Sequence, residues 1–346
     1  MSEEGELDRA TDRTTVAAVD PDAVFGVIVI GRNEGDRLRA CFDSLAPLTS
    51  RIVYVDSGST DGSIQMALAR GIATVTLDMS VPFTAARARN RGFEQLRCVW
   101  PDIAFVQFVD GDCEVLGEWL PAACAYLEAN QNVVCVCGSL RERFPERSVY
   151  NRLCDAEWNR PAGETSACGG IAMMRAVSFE SVGGFRDDIA AGEEAELCAR
   201  LRLHGGTVLR LATPMALHDA SMYRFGQWWI RCKRTGFGTA NSLSLQLSGD
   251  RGADFRKLLR PWLWCVLLPL LAALGFAFGG PVALLLLLLY PAQVLRNAMS
   301  AQGSWRARLE RGFFLTLGKF PELAGQLQFW SGRRSSAAAA SFDYKS

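Results

Sequence analysis

The chain has 346 residues, of which 37 are basic and 37 are acidic, so its formal net charge at pH 7 is zero. This balance gives no electrostatic reason to expect nucleic acid as a partner, and the length suits one large domain or two smaller ones. The eleven cysteines are scattered without Cys-x-x-Cys or Cys/His ligand spacing, which argues against a structural zinc site and favours free thiols in a reducing compartment.

Apolar runs alternate with helical patterns over the first part of the chain. Residues 1–22 are polar and without periodicity, and we expect a disordered tail there. The predicted strands are 24–30, 52–55, 73–77, 103–109 and 133–138. The first predicted helix follows the first strand and ends near residue 45, and the next three cover 63–70, 85–96 and 118–130. Strands that alternate with helices of this length predict a parallel, doubly wound α/β sheet.

The middle of the chain gives a weaker pattern. Residues 138–245 predict little regular structure apart from a helix within 192–206, which starts at an acidic cluster and is closed by Gly205 and Gly206. We expect residues 23–250 to form one α/β domain.

The character of the sequence changes at Pro261. Two almost wholly apolar runs, 262–278 and 282–295, are separated by Gly-Gly-Pro and flanked on both sides by basic residues. We predict a membrane hairpin within 256–296 with both ends in the cytoplasm, because Lys and Arg resist translocation. A buried helix pair in a soluble protein is the alternative, but six consecutive leucines without a polar face argue against it.

The last part of the chain is less apolar. Residues 297–330 set Arg and Lys among Phe, Leu and Trp, and we expect interfacial helices that lie along a membrane surface. Residues 331–346 are rich in Ser and Ala and are expected to form a flexible tail.

Two aspartates directly follow the fourth predicted strand, as Asp110-Gly111-Asp112. Ligand sites in open α/β sheets lie outside the carboxyl ends of the strands. Two carboxylates placed there hold a hard divalent cation, Mg²⁺ or Mn²⁺, which bridges to phosphate oxygens. A plain strand-to-turn junction is the alternative, since Asp-Gly is common in turns.

The order of several motifs resembles the family 2 glycosyltransferases of the GT-A fold over about residues 24–240. These motifs are Asn33-Glu34 after the first strand, Asp56 and Asp61 after the second, Arg89-Asn90 in a helix, Asp110-Gly111-Asp112, and Glu193-Glu194. The apolar C-terminal pair resembles the membrane-anchored bacterial members that build surface polysaccharides or glycolipids. The resemblance implies a GT-A-like, mainly parallel doubly wound sheet followed by a helical hairpin.

The resemblance also implies a reaction and a place for it. It implies metal-dependent, inverting transfer of one sugar from a nucleotide-sugar donor to a lipid-linked or glycan acceptor, at the cytoplasmic face of the inner (plasma) membrane. Donor binding is implied for Asn33, Glu34, Asp56, Asp61, Arg89, Asn90, Asp110 and Gly111. Asp110, Asp112 and His218 are the implied metal ligands, and Glu194 is the implied general base, where the family normally has Asp.

Each of these assignments has an alternative. Asp56 would cap a turn, Arg89 would lie on a solvated helix face, and Glu194 would belong to an exposed acidic helix terminus. His218 would be a hydrogen-bonded structural residue. For the whole chain, the rivals are a nucleotidyltransferase and a non-catalytic, membrane-anchored sugar-nucleotide-binding assembly partner. The Gln-x-x-Arg-Trp motif of processive members is absent, which favours addition of a single sugar.

Overall fold

The computed structural model describes residues 25–331 except 82, 190 and 246–250, and the side chains of 251–254 are also left undescribed. The predicted tails, 1–22 and 331–346, therefore lie outside the described residues, apart from Ser331.

Within the described residues, nine strands form one mixed sheet. They are β1 (Phe25–Gly31), β2 (Ile52–Asp56), β3 (Ala73–Thr76), β4 (Phe105–Asp110), β5 (Cys113–Val115), β6 (Val133–Glu142), β7 (Gly163–Glu164), β8 (Ala172–Arg175) and β9 (Thr207–His218). Their spatial order is β3-β2-β1-β4-β8-β6-β9-β5, and β7 pairs with β9. The predicted α/β class and the parallel first half of the sheet are confirmed.

The sheet changes direction at β8. Strands β1 to β4 pair in parallel, whereas β8 is antiparallel to both β4 and β6. On β1, Gly31 pairs with Asp56 of β2 and Ile30 pairs with Asp110 of β4. The two aspartates therefore leave the sheet at the same edge, on either side of the end of β1.

Thirteen α-helices surround or follow the sheet in the described part of the chain. They are α1 (Asp36–Leu45), α2 (Ser63–Ala69), α3 (Ala85–Val99), α4 (Trp119–Ala129), α5 (Val149–Trp158), α6 (Ala176–Ser181), α7 (Glu193–Leu203), α8 (Phe225–Ser244), α9 (Arg251–Trp262), α10 (Leu268–Gly279), α11 (Leu289–Met299), α12 (Trp305–Leu317) and α13 (Lys319–Trp330). Short 3₁₀ segments lie at Pro145–Arg147 and Pro281–Leu288, and a π-helical turn lies at Leu263–Leu267.

Helix α3 packs tightly against the sheet. It begins at Thr84, whose hydroxyl accepts a hydrogen bond from the Arg87 amide. At Gly92 the helix comes so close to β1 that a Cβ there would lie 2.4 Å from Ile28 Cγ2. This contact explains a glycine inside a helix, where it costs about 1 kcal/mol relative to Ala. The apolar side chains of β1, β2 and β4 form the centre of the core.

Residues 138–245 contain more strands and helices than their sequence pattern indicated. Strand β6 extends to Glu142, and α5, β8, α6, β9 and α8 lie in this region. The pattern was hidden because β9 carries Arg210 and Pro214 and is only partly buried along its length. Its pairing with β6 also shifts register three times, which disrupts a regular alternation.

The apolar C-terminal runs form two helices long and apolar enough to cross a membrane. One covers Phe255–Gly279 and the other Pro281–Met299, and Gly280 joins them with a φ of 84°. Within their most apolar windows only 11% and 6% of the residues are buried by the protein itself. The expected interfacial region, 297–330, contains α12 and α13, and α13 packs across α8 rather than on the sheet.

Candidate active site

The loops after β1 and β2 are tied together by the predicted donor-binding residues. The Asn33 side-chain oxygen accepts from the Thr60 amide at 2.7 Å, and the Asn33 amide donates to the Ser59 hydroxyl at 2.9 Å. The Asp61 carboxylate accepts from the Gly35 amide, also at 2.9 Å. Asn33 and Asp61 are exposed, so the two loops present a fixed polar surface at the carboxyl edge of the sheet.

Asp56 is fully buried at the end of β2. One carboxylate oxygen accepts from the Tyr54 hydroxyl at 2.9 Å, and the other accepts from the amides of Gly58 and Ser59 at 2.9 and 2.8 Å. Turn capping, the alternative to donor binding, is therefore what the side chain does in this structure. Its role toward a donor stays a prediction.

Gly111 lies where the end of β4 contacts the end of β1. Its amide donates to the Ile30 carbonyl at 2.8 Å. A Cβ at this position would lie 3.1 Å from that carbonyl and 3.4 Å from the side chain of Glu34. Glu34 is itself buried and forms an ion pair with Arg37 at 2.8 Å. The motif therefore needs a small residue between its two aspartates.

Asp112 and His218 are brought together from distant parts of the chain. Strand β5 pairs with β9 so that Cys113 lies opposite His218, and the Asp112 Oδ2 to His218 Nε2 distance is 3.0 Å. The Cys113 sulfur joins them, since the ligand atoms of all three residues lie within 4.8 Å of one another. The prediction named Asp112 and His218 but missed Cys113.

The Asp112–His218 pair of this cluster fits a divalent cation. With metal–ligand bonds of about 2.1 Å, adjacent ligands of an octahedral Mg²⁺ site lie about 3 Å apart. The Asp112 Oδ2 to His218 Nε2 separation matches that spacing. Histidine nitrogen and carboxylate oxygen are both suitable ligands for Mn²⁺, and oxygen is preferred by Mg²⁺.

His218 is fixed by its surroundings. Its ring stacks on Trp158 with centroids 4.4 Å apart and an angle of 8° between the planes. Just after it, the Ala220 amide donates to the buried carboxylate of Glu142 at 3.0 Å. Trp158 was not identified from the sequence, because it lies 60 residues before the histidine and in no recognisable motif.

Asp110 does not join this cluster in the structure. Its carboxylate accepts from Arg89 at 2.9 Å, and Arg89 donates with its other terminal nitrogen to Glu193 at 3.0 Å. Burial alone would lower the pKa of Arg89, but the two carboxylates raise it above its ordinary value. Arg89 is only 3% exposed, so the solvated-face alternative is wrong for this residue. It is a buried cation that connects β4 to α7.

Asn90, the neighbour of Arg89, holds the segment before α7. Its amide nitrogen donates to the Phe185 carbonyl at 2.8 Å and to the Asp187 carboxylate at 2.7 Å. Its oxygen accepts from the Phe185 amide at 2.9 Å. These bonds use both ends of the side chain, so in this structure Asn90 positions a loop.

Glu194 lies at the first turn of α7, beside Glu193. It is half-buried, whereas Glu193 and Glu196 are buried, so the picture of an exposed acidic terminus is wrong. Burial, followed by the negative charge of Glu193, raises the pKa of Glu194 to about 7. A carboxylate with this pKa is matched to proton transfer near neutral pH.

The geometry therefore has two parts. One part is the Asp112–Cys113–His218 cluster, and the other is the chain Asp110–Arg89–Glu193 with Glu194 next to it. Asp110 ends β4 and Asp112 directly precedes β5, so the short link between these strands supplies one aspartate to each part. The predicted residues of the donor loops lie at the same sheet edge.

Comparisons with known proteins relate part of the chain to one family. Residues 26–182 match the model of "Glycosyl transferase family 2". The chain is also similar to the succinoglycan biosynthesis protein ExoA of Rhizobium meliloti (strain 1021), with 28% identity over 190 residues. That alignment covers 51% of this chain and 57% of the relative, so the match spans little more than half the length of that protein.

A solved structure shares the fold. The mannosyltransferase PcManGT from Pyrobaculum calidifontis, in complex with GDP-Man and Mn²⁺, matches with a TM-score of 0.54 and 18% identity, over 91% of this chain and 90% of that one. Residues 26–182, which include the motif at the end of β4, are therefore similar to glycosyl transferase family 2, and the mixed sheet has the GT-A fold.

Proposed function

We propose that this protein transfers one sugar from a nucleotide-sugar donor to a lipid-linked acceptor, with inversion at the anomeric carbon, in polysaccharide or glycolipid synthesis. The observation that carries the proposal is the pairing of Asp112 with His218 at 3.0 Å at the same sheet edge as Asp110, in a family 2 domain. The similarity to a succinoglycan biosynthesis protein supports the polysaccharide role.

Asp110, Asp112 and His218 would hold a divalent cation. A bound Mg²⁺ or Mn²⁺ neutralises the charge that develops on a leaving diphosphate. Asp110 is the more accessible of the two aspartates, because 30% of its side chain is exposed while Asp112 is buried. The Mn²⁺ in the similar mannosyltransferase structure agrees with this donor set.

Glu194 would be the general base. Its carboxylate would take the proton from the acceptor hydroxyl while that oxygen attacks the anomeric carbon, and a single displacement of this kind inverts the configuration. Its pKa of about 7 keeps a useful fraction of the side chain ionised at neutral pH while leaving it basic enough to accept a proton. Glu193 cannot share this role while it is bound to Arg89.

The C-terminal helices would hold the catalytic domain at the inner face of the plasma membrane. The leucines of Pro281–Leu288 are exposed and have no polar face, and only lipid or another protein would cover them. A hairpin with both ends in the cytoplasm keeps α12 and α13 on the same side as the sheet. That arrangement places the site beside an acceptor carried on a lipid.

The proposal is tested with the purified full chain in detergent. A panel of UDP-, GDP- and dTDP-linked hexoses is supplied with Mn²⁺ or Mg²⁺ and a polar lipid extract, and the products are separated and their anomeric configuration is determined. We expect one donor to give a lipid product with a single added sugar of inverted configuration.

Other outcomes would refute the proposal. Release of pyrophosphate from a nucleoside triphosphate and a sugar phosphate would favour a nucleotidyltransferase. Binding of a nucleotide sugar without hydrolysis or transfer would favour a non-catalytic assembly partner. Recovery of the intact chain in the soluble fraction without detergent would remove the membrane anchor.

A further inference from the structure

Three cysteines from distant parts of the chain meet in the core behind the active site. Cys135 lies on β6, Cys168 lies in the segment before β8, and Cys198 lies on α7. All three are at most 3% exposed. The sulfurs of Cys168 and Cys198 are 3.5 Å apart, and all three sulfurs lie within 4.8 Å of one another.

This triangle has the dimensions of a three-coordinate metal site. With metal–sulfur bonds of about 2.3 Å, three sulfurs around one ion form a triangle about 4 Å on a side. The observed separations, from 3.5 Å up to at most 4.8 Å, bracket that value.

We propose that Cys135, Cys168 and Cys198 form a binding site for one Cu(I) ion coordinated by three sulfurs. Thiolates select soft ions such as Cu(I) and Zn²⁺ over Mg²⁺ or Mn²⁺. Zn²⁺ almost always takes four ligands in structural sites, and the described residues of this cluster offer three in a buried setting. Cu(I) is satisfied by three.

The surroundings favour ionisation of one of the three sulfurs. Hydrogen bonds from the thiols of Cys135 and Cys168 lower the pKa of the Cys198 thiol well below its ordinary value, and the charge of Arg202 adds to this effect. Hydrogen bonding within the cluster and burial raise the pKa of the Cys135 and Cys168 thiols well above their ordinary value. Arg202 also donates to the Ser166 carbonyl at 2.9 Å, which keeps its guanidinium beside the segment that carries Cys168. Each thiol that coordinates as a thiolate releases its proton to solvent.

This site could not be predicted from the sequence, because no two of these cysteines are closer than 30 positions apart. Local ligand spacing detects metal sites whose ligands lie on one loop or one hairpin. Here β6, a loop and a helix each supply one sulfur.

The three-cysteine site lies close to the proposed catalytic residues in the fold. Glu194 precedes Cys198 by one helical turn on α7. Gly170 follows Cys168 closely, and a Cβ at Gly170 would lie 2.5 Å from Arg89 Nη2 and 2.9 Å from Asp110 Oδ2. A metal bound by the three thiols would therefore fix the positions of both the proposed base and the Arg89–Asp110 pair.

The test uses the full chain in detergent, reduced and without oxygen, titrated with Cu(I) buffered by a coloured Cu(I) chelator. We expect one Cu(I) per chain to be taken from the chelator, and X-ray absorption to show three sulfur neighbours at about 2.3 Å. Cys198→Ser should lose this binding. Cys137→Ser, on the same strand, and Cys113→Ser, in the other cluster, should retain it.

Thermal unfolding without metal shows whether each variant is folded. If Cys198→Ser does not fold, Cys198→Ala replaces it in the test. Cu(I) should raise the Tm of the wild type and of Cys137→Ser but not that of Cys198→Ser, since a ligand that binds only the folded state stabilises it. Equal Cu(I) binding by the wild type and Cys198→Ser, failure to compete with the chelator, or preferential uptake of Zn²⁺ would each overturn the proposal.

Discussion

The sheet and the C-terminal hairpin are built from the same kinds of side chain in opposite surroundings. Val27, Ile28 and Val29 on β1 are completely buried, whereas Phe278, Val282 and Leu285 are 89%, 71% and 61% exposed. The sheet residues are covered by helices of the same domain. The described part of the chain does not bury the hairpin residues, and we propose that lipid covers them.

The two regions also differ in how their elements touch. The sheet and α3 are separated by interdigitated side chains, with Gly92 as a local exception. In the C-terminal region the backbones themselves meet. A Cβ at Gly236 of α8 would lie 1.9 Å from the Glu322 carbonyl of α13, and one at Gly325 would lie 2.0 Å from the Lys233 carbonyl. Glycine at these two positions is therefore what allows α8 and α13 to approach this closely, since any side chain there would collide with backbone.

The two regions are proposed to have different roles. The candidate active-site groups lie at the carboxyl edge of the sheet and are partly or wholly buried, as Arg89 and Asp112 are. We propose that the C-terminal region positions the catalytic domain at the membrane. Substitutions in one region should therefore affect turnover or unfolding, and substitutions in the other should affect membrane binding.

The largest effect is expected for Asp112→Asn. Removing one metal-binding carboxylate sacrifices several kcal/mol of transition-state stabilisation, which corresponds to about 10³-fold or more in rate. The measurement is kcat with saturating Mn²⁺, together with Mn²⁺-dependent binding of the nucleotide. Asp36→Asn, on the exposed start of α1, is the matched control and should leave both unchanged. Near-normal turnover by Asp112→Asn would remove the metal site from the proposal.

The same substitution made in both regions tests whether their apolar side chains are buried differently. Leu120 on α4 is completely buried and Leu285 is 61% exposed, so the same change to Ala meets opposite surroundings. Leu120→Ala should lower the free energy of unfolding by about 2–5 kcal/mol through lost burial and an unfilled cavity. Leu285→Ala should change it by no more than about 0.5 kcal/mol. Chemical denaturation in detergent measures both, and similar losses would mean that the hairpin is packed inside protein.

Glu194→Gln should lower kcat by about 10²-fold, the lower end of what a general base contributes. Because the base works in its ionised form and its pKa is about 7, the wild-type rate should fall as the pH drops through 7. The variant should lose that dependence while donor binding stays nearly unchanged. If Glu193→Gln were damaging with a retained pH profile and Glu194→Gln were silent, the assignment of the base would be one residue out.

The sequence was sufficient for the order of elements in the first half of the sheet. Continuous apolar runs such as those of β1 and β4 have one reasonable interpretation, and Asp110-Gly111-Asp112 follows directly from the second of them. The strands β8 and β9 were not predicted. Their polar residues, the antiparallel pairing of β8 and the irregular register of β9 leave no simple period to detect.

Contacts between segments that are distant in the chain also could not be predicted from the sequence. Arg89 was predicted to bind the donor, a role that stays a prediction, and the sequence did not reveal that it bridges Asp110 and Glu193, which lie 21 and 104 positions away. The stack of Trp158 on His218 and the three-cysteine cluster also join residues that are distant in the sequence. Side chains that meet only after the sheet has formed leave no local pattern in the sequence, whereas residues at a strand end do.

The smallest effect is expected for a single surface charge in the C-terminal region. Arg306 on α12 is 89% exposed and pairs with Glu310, whose side chain is 24% exposed, at 3.1 Å. If α12 lies on a membrane with anionic lipids, each such charge contributes about 1 kcal/mol to binding. Arg306→Gln should therefore weaken the contact of α12 with the bilayer about fivefold, measured as faster amide hydrogen exchange of α12 in the full chain reconstituted into phosphatidylglycerol-containing vesicles. Arg91→Gln is the matched control, since Arg91 is 59% exposed on α3 of the sheet region and pairs with Glu94 in the same way. The difference between the two should shrink in high salt, because exposed charges are screened. Equal behaviour of the two variants at low salt would mean that α12 faces away from the membrane, even where the hairpin is inserted.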